Sequence, residues 1–501
     1  MKKFLIFLLP LLLFTFCEGT EGGTNTGKTY NDFAVWSEWL EYKYKNDFGY
    51  DSGNLGALKT PITHNMSAEE FIFAKGLNAG WNLGNTYDLP SNPRADTGHY
   101  DKLFAGVKAA GFNVLRLPVS WGGQYSSGTI NSGWLDQVEQ TITAAHTAGL
   151  VVFVNTHHDK GFFNLNQSGD SYKADGVEGA NYKFYTERFV SVWLQIATRF
   201  KDYGDWLLFE PINEPTVTSA QNQTQWDGAA QEYYDVLNLW NQAFVDTVRS
   251  TGGNNEKRYL LFKSYAGKLQ PSLDPTNNYK IPTDPSGTGK LIYSFHSYIP
   301  QPLALEGQNT NWGLTTYTVF TGPFAQAANA YIKKGIPVFM GETGATFHSQ
   351  RGSWTACQCT PLHTNLNPCP FVGSTTANIN RLLCLNALGH EARKFGVLPC
   401  LWDNGEATRG ATQNNPNGET FALFRRKPAH DNDPNNYGKP IDHTRLNGGS
   451  APASTGGHEM NTSNKAVDDS TFGQKTIDAF IDAINGRTGL WRNQLPAGLY
   501  P

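Results

Sequence analysis

Eight short apolar runs recur along the chain, and helical periodicity fills the gaps between them. The runs are Ala74 to Trp81, Asn113 to Val119, Val151 to Thr156, Leu207 to Phe209, Tyr259 to Lys263, Leu291 to Phe295, Val338 to Met340 and Val397 to Trp402. Between them, sets such as Leu103, Phe104, Val107, Ala110 before Gly111 and Leu237, Trp240, Phe244, Val248 before Gly252 repeat at helical spacing. Strands this short and this apolar are buried on both faces, as parallel strands covered by helices are. Eight of them joined by right-handed crossovers predict a closed (β/α)8 TIM barrel. The competing doubly wound open sheet needs a point where strand order reverses, and nothing in the linear pattern marks one.

That fold predicts where chemistry sits, because barrel active sites gather at the C-terminal ends of the strands. Several runs end in polar residues there: Arg116, the sequence Asn155-Thr156-His157-His158-Asp159, Asn213-Glu214, His296-Ser297-Tyr298, Glu342, and Trp402-Asp403-Asn404. Two separate strands thus each deliver a carboxylate, Glu214 in Phe209-Glu210-Pro211-Ile212-Asn213-Glu214-Pro215 and Glu342 beside Gly341. A pair of carboxyls suits glycosidic bond cleavage, one protonating the departing oxygen while the other attacks the sugar carbon. Taken alone, Asn-Glu-Pro is also an ordinary turn with a helix N-cap, so the assignment depends on the other strand ends.

The remaining segments set the domain plan. Lys2-Lys3 followed by the apolar run Phe4 to Phe16 reads as a secretory signal over residues 1–20, too short to span a bilayer. Cys17 raises lipid attachment as an alternative, although the Phe before it is atypical. Residues 21–65 read as a lead segment without clean periodicity, 66–490 as the barrel, and 491–501 as a tail. Ser67-Ala68-Glu69-Glu70 is a capping box opening the organised part. With 40 basic and 44 acidic residues scattered along the chain, neither nucleic acid nor an acidic membrane surface is an expected partner, and a monomer is expected. The 13 Trp and 22 Tyr supply core mass and also flat surfaces for sugar rings. Trp121 and Trp312 are candidates for either role.

Gly80-Trp81-Asn82-Leu83-Gly84-Asn85-Thr86, Arg116-Leu117-Pro118-Val119, His157-His158, Asn213-Glu214-Pro215, His296-Ser297-Tyr298, Gly341-Glu342 and Trp402-Asp403-Asn404-Gly405 together resemble glycoside hydrolase family 5, in its bacterial and rumen endoglucanase branch. The resemblance spans about residues 66 to 485. It implies retention of anomeric configuration, no metal or other cofactor, and cleavage inside a β-1,4-linked polysaccharide. It also implies that Glu214 is the general acid/base and Glu342 the nucleophile, held ionised by Arg116. Asn213 would bind the sugar 2-hydroxyl, and Tyr298 would hydrogen-bond the nucleophile. His157, with its neighbour His158, and His296 would lie near the carboxyls, and Trp402 would floor the cleavage point. Leu401 and Thr343 depart from the residues common in relatives, and Ser349 to Thr375, with Cys357, Cys359 and Cys369, lengthens the segment after Glu342. This insertion is expected to form one wall of the cleft, and Gly405 to Arg445 is expected to be a surface excursion.

Weaker signals resolve against special chemistry. His157-His158-Asp159 lacks a matching ligand set in the sequence for a metal, and Asp431-Asn432-Asp433 opens like a calcium loop but has Asn436 where the turn wants glycine. Cys384 and Cys400 lie in apolar contexts and read as core. A non-catalytic glycan-binding protein on the same scaffold is the other functional class; it would normally lack one of the carboxylates. Cellulose, mixed-linkage glucan, xyloglucan and mannan all remain open as substrates. No Pro/Ser/Thr-rich linker leads to a second compact unit, so soluble or loosened glucan is favoured over crystalline cellulose.

Overall fold

The computed structural model describes residues 28–44, 54–89, 99–165, 173–174, 177–216, 226, 230–287, 289–305, 314–346, 376–406, 421–427, 432–441 and 472–487. Among them, eight parallel strands close a barrel: β1 Gly80–Leu83, β2 Val114–Leu117, β3 Val151–Asn155, β4 Leu207–Glu210, β5 Leu260–Lys263, β6 Leu291–His296, β7 Val338–Thr343 and β8 Val397–Asp403. Each strand neighbours the next in sequence, and β8 pairs back onto β1 with Gly80 opposite Cys400 and Leu83 opposite Asp403. Every residue of these strands is buried. A sheet closed inside a ring of helices has no water-facing side, which is why the sequence shows continuous apolar runs.

The longer helices among the described residues are α1 Trp36–Tyr44, α2 Ala68–Lys75, α3 Tyr100–Ala109, α4 Ser132–Thr147, α5 Ala180–Phe200, α6 Gln231–Ser250, α7 Leu314–Ala330, α8 Thr376–Phe395 and α9 Phe472–Ile484. At the head of α2 the Ser67 hydroxyl accepts from the Glu70 amide while the Glu70 carboxylate accepts from the Ser67 amide, as the capping box requires. Apolar residues at helical spacing turn inward: Phe189, Val192, Trp193 and Ile196 on α5, and Leu237, Trp240, Phe244 and Val248 on α6. Trp193 and Phe244 join the two faces, ring centroids 4.6 Å apart.

Three expectations change. The run Ala74 to Trp81 is not one strand, because α2 continues to Lys75 and β1 begins only at Gly80. The lead segment contains α1, whose buried face is only Trp36, Leu40 and Tyr44; so narrow a stripe gave no clear period. Lys43 and Tyr44 both reach the Glu69 carboxylate and tie α1 to α2. Part of the supposed excursion after β8 is core instead. Phe421 to Phe424 and Arg426 are buried, and the backbone is anchored there as the Asp403 carboxylate accepts from the Leu423 and Phe424 amides and Asn404 accepts from the Phe421 amide. Polar strand-end residues thus fasten the backbone of a short apolar run, Phe421-Ala422-Leu423-Phe424, set within an otherwise polar stretch.

Cys384 and Cys400 are buried free thiols. Asp433 caps the amide of Asn435 at a short 3-10 turn. Trp312, the insertion with its three cysteines, and residues 1–20 lie outside the described residues. No helix among the described residues is long and apolar enough to cross a membrane.

Candidate active site

The floor of the site is made from side chains that rise between the strands. Arg116, fully buried on β2, donates from Nη1 to Glu342 Oε1 at 2.6 Å, from Nη2 to Asn213 Oδ1 at 2.7 Å and from Nε to Glu210 Oε2 at 2.8 Å. It also meets Asn82 Oδ1 at 3.2 Å, and Asn82 is itself fixed by donating to the Gly341 carbonyl. One guanidinium therefore sets the positions of groups from β1, β4, the turn after it, and β7. Its planar fork suits this in a way a lysine could not. Gly341 makes room for the network, since a Cβ there would stand 3.1 Å from Ser294 Oγ and 3.4 Å from both Arg116 Nε and Glu210 Oε1.

Glu342 is nearly buried, and its other oxygen accepts from the Tyr298 hydroxyl at 3.1 Å. Register shifts between β6 and β7 and between β7 and β8 bracket this residue. Such irregularities re-aim a side chain at a barrel rim. Glu214 follows β4 and is the more open of the two carboxyls. His296 stands between them, Nδ1 2.9 Å from Glu214 Oε1 and 3.6 Å from Glu342 Oε2. One oxygen of each carboxyl and that ring nitrogen all lie within 4.8 Å of one another.

His157 and Trp402 lie face to face, their rings 3° from parallel with centroids 5.8 Å apart. His157 Nε2 is 3.8 Å from Glu342 Oε1 and 4.0 Å from Asp88 Oδ2. The His158 side chain is more exposed and also approaches Asp88 Oδ2, at 4.0 Å. All nine residues predicted for the site thus converge on one mouth of the barrel. Trp121 does not join them: it is fully buried and donates its indole N–H to the Asn155 carbonyl, so it is core and not a sugar platform.

The cluster of Asp88, His157 and His158 has metal-like spacing. The tautomer argues against a metal. Asn155 accepts from the Val119 amide through Oδ1 and donates to Glu210 through Nδ2, so Nδ2 also faces His157 Nδ1 as a donor, at 3.3 Å. His157 Nδ1 must then accept, and Nε2 presents a proton to the gap where a ligand needs a lone pair.

Sequence reasoning gave no role to four buried polar groups beneath these residues: Glu210, Lys263, Asn155 and Ser294. Glu210 accepts from Lys263 and Ser294 on Oε1 and from Arg116 and Asn155 on Oε2. Burial alone would raise its carboxyl, yet the Arg116 and Lys263 cations hold it well below the ordinary carboxylate range. Burial lowers the Lys263 ammonium to about 8 against the pull of Glu210, with Arg116 adding to the fall. Burial likewise keeps His157 and His296 neutral, far below the ordinary imidazole range. Asp88 was also missed; burial pushes it up to about 6, and among the described residues its Oδ2 has no hydrogen-bond partner. A signal existed for Lys263, a charged residue closing an apolar run in a strand that has no solvent side.

The cellulase family model, glycosyl hydrolase family 5, matches residues 79–364. Endoglucanase B of Clostridium cellulovorans is 31% identical over 368 residues, which cover 70% of this chain and 71% of that protein. A xyloglucan-specific endo-beta-1,4-glucanase of Bacteroides ovatus is 31% identical over 303 residues, covering 55% of this chain and 56% of its own length. Among solved structures, the complex of a glycoside hydrolase 5 lichenase from Caldicellulosiruptor with cellotetraose superposes with a TM-score of 0.57 at 29% identity, covering 74% of this chain and 93% of that one.

Proposed function

The chain belongs to glycosyl hydrolase family 5 and is a glycoside hydrolase of the endo-glucanase kind, and on that footing we propose that it is a secreted, retaining endo-β-1,4-glucanase. The observation that carries retention is the closeness of Glu214 and Glu342, whose nearest oxygens share a 4.8 Å cluster with His296. Retaining enzymes hold their two carboxyls ~5–5.5 Å apart, whereas inverting ones leave ~6.5–9.5 Å for a water.

The surroundings divide the labour. Glu342 takes a hydrogen bond from a buried guanidinium and another from a phenol, which hold its oxygens in place for the nucleophile's role. Glu214, the more open carboxyl, lies against His296 Nδ1 and takes the acid/base role. In the first step Glu214 gives that proton to the departing glycosidic oxygen as Glu342 bonds to the anomeric carbon. In the second, Glu214 takes a proton from water as the water displaces Glu342. Asn213, its amide oxygen already held by Arg116, has its nitrogen left to offer the 2-hydroxyl. Trp402 supplies the surface under the ring, and His157 Nε2–H a donor to the sugar.

The substrate reading is a β-1,4-glucan backbone in soluble or loosened form, supported by the glucanase relatives and the cellotetraose-bound neighbour. Export rests on the basic and apolar pattern of residues 1–20. Release of reducing ends from carboxymethyl cellulose should fall by roughly 10²–10⁴-fold in Glu214→Gln. Proton NMR of the wild-type reaction should show the β-anomer first. An α-anomer as first product would overturn retention, and full activity in Glu214→Gln would overturn the assignment.

A further inference from the structure

Lys263 closes β5 with an ammonium that has no exposure to solvent. It lies 2.6 Å from Glu210 Oε1 and 2.7 Å from His296 Nε2. A charged ammonium can only donate, so His296 Nε2 must accept and the ring proton must sit on Nδ1. Nδ1 faces Glu214 Oε1 at 2.9 Å. A single hydrogen-bonded line therefore runs from Glu210 through Lys263 and His296 to Glu214. Gly267 leaves space for its far end; a Cβ there would stand 3.3 Å from Glu214 Cγ and 3.5 Å from His296 Cγ.

The charges in this cluster explain why a second cation is present. Arg116 and Lys263 are positive, Glu210 and Glu342 are negative, and the proposed acid Glu214 is neutral before reaction. Once Glu342 becomes the glycosyl ester and Glu214 has surrendered its proton, the sum is unchanged but one negative charge has moved from Glu342 to Glu214. Arg116 faces the place the charge left. Lys263, behind His296, faces the place it reached. A charge created in a site of low polarity is stabilised most by dipoles and cations already aimed at it.

Resting on the acid/base reading of Glu214, we propose that Lys263 is a positioning residue that locks His296 as its Nδ1–H tautomer and, through that ring, supports the Glu214 anion during breakdown of the glycosyl-enzyme. Lys263 acts through His296 and touches no substrate. The groups facing it are Glu210 on β4, His296 on β6, and, further off, Arg116 on β2 and Glu342 on β7. Burial brings it down only to about 8, so it remains charged in the neutral range.

Two measurements test this. In wild-type protein labelled with ¹⁵N-histidine, and with His296 identified by its loss in His296→Asn, the ring at pH 6–7 should show a protonated Nδ1 and a bare Nε2. A protonated Nε2, or an imidazolium, would overturn the proposal whatever the enzyme does. With a dinitrophenyl β-cellobioside, whose leaving group needs no acid, Lys263→Met should lower kcat about tenfold and KM in parallel, because the ester accumulates. A folded Lys263→Met with unchanged kcat and KM, or with KM alone raised, would overturn it. Should that variant fail to fold, the wild-type tautomer still decides. Failure of the acid/base reading is seen separately, as activity retained in Glu214→Gln.

Discussion

Glu210 and Asp88 are both carboxylates with no solvent exposure, yet the molecule treats them oppositely. Glu210, on the barrel floor, has four donors, two of them cations, and is held firmly ionised. Asp88, at the rim, has a backbone donor on Oδ1 from Thr86 and, among the described residues, no hydrogen-bond partner on Oδ2, and burial raises it to about 6. Burial alone does not fix a carboxylate's charge; the donors arranged around it do. The floor is built to keep charges in place, and the rim is built so that a charge or a hydroxyl can still be accommodated.

The sharpest way to break this contrast is at the floor. Glu210→Ala leaves Arg116 and Lys263 facing each other without their shared anion, and should destabilise the fold by about 3–5 kcal/mol, as removal of one partner from a buried pair does. Denaturant unfolding measures it, and a loss below 1 kcal/mol would mean that the network is not a unit.

At the rim the same kind of change should have a smaller effect, with a sign that depends on pH. Because the folded-state value of Asp88 is raised, its favourable contribution is present below the unfolded value and is lost as pH rises through about 6. Asp88→Asn removes that loss. Relative to wild type, its thermal midpoint should therefore improve as pH rises from about 4 to about 6 and stay level above that, and a difference independent of pH across that window would show that Asp88 is ionised throughout. The smallest effect is expected at Trp121, whose indole bond to the Asn155 carbonyl lies under the site. Trp121→Phe should cost about 1 kcal/mol of stability and leave kcat/KM for carboxymethyl cellulose near wild type. A large rise in KM with unchanged stability would restore Trp121 as a sugar platform.

The same contrast shows what the sequence could reveal. The barrel was legible because strands without a wet face must be apolar throughout, and the strand ends were legible because polar residues stand out after such runs. Glu214, Glu342, Arg116 and Tyr298 were reached in this way and through the family resemblance. Glu210 was visible in the same stretch as Glu214, but only three-dimensional pairing with Arg116 and Lys263 gives it a role. Asp88 sits beyond β1 in a turn, with no periodicity to mark it, and its environment comes from His157 and His158, far away in the chain. The segment around Phe421 to Phe424 was misread because its apolar run was averaged into the polar stretch on either side, and its anchor, the Asp403 carboxylate, is a long-range hydrogen bond that the sequence does not report.

The central claim is that Glu342 attacks the sugar while Glu214 handles the proton. A 2-deoxy-2-fluoro-β-cellobiosyl fluoride forms the ester quickly and releases it slowly, so the protein can be trapped, digested and read by mass spectrometry. One added fluorocellobiosyl group is expected, on the peptide containing Glu342, and it should be lost on incubation with an acceptor glucan. A label on Glu214 or Glu210, or turnover with no label at all, would contradict it.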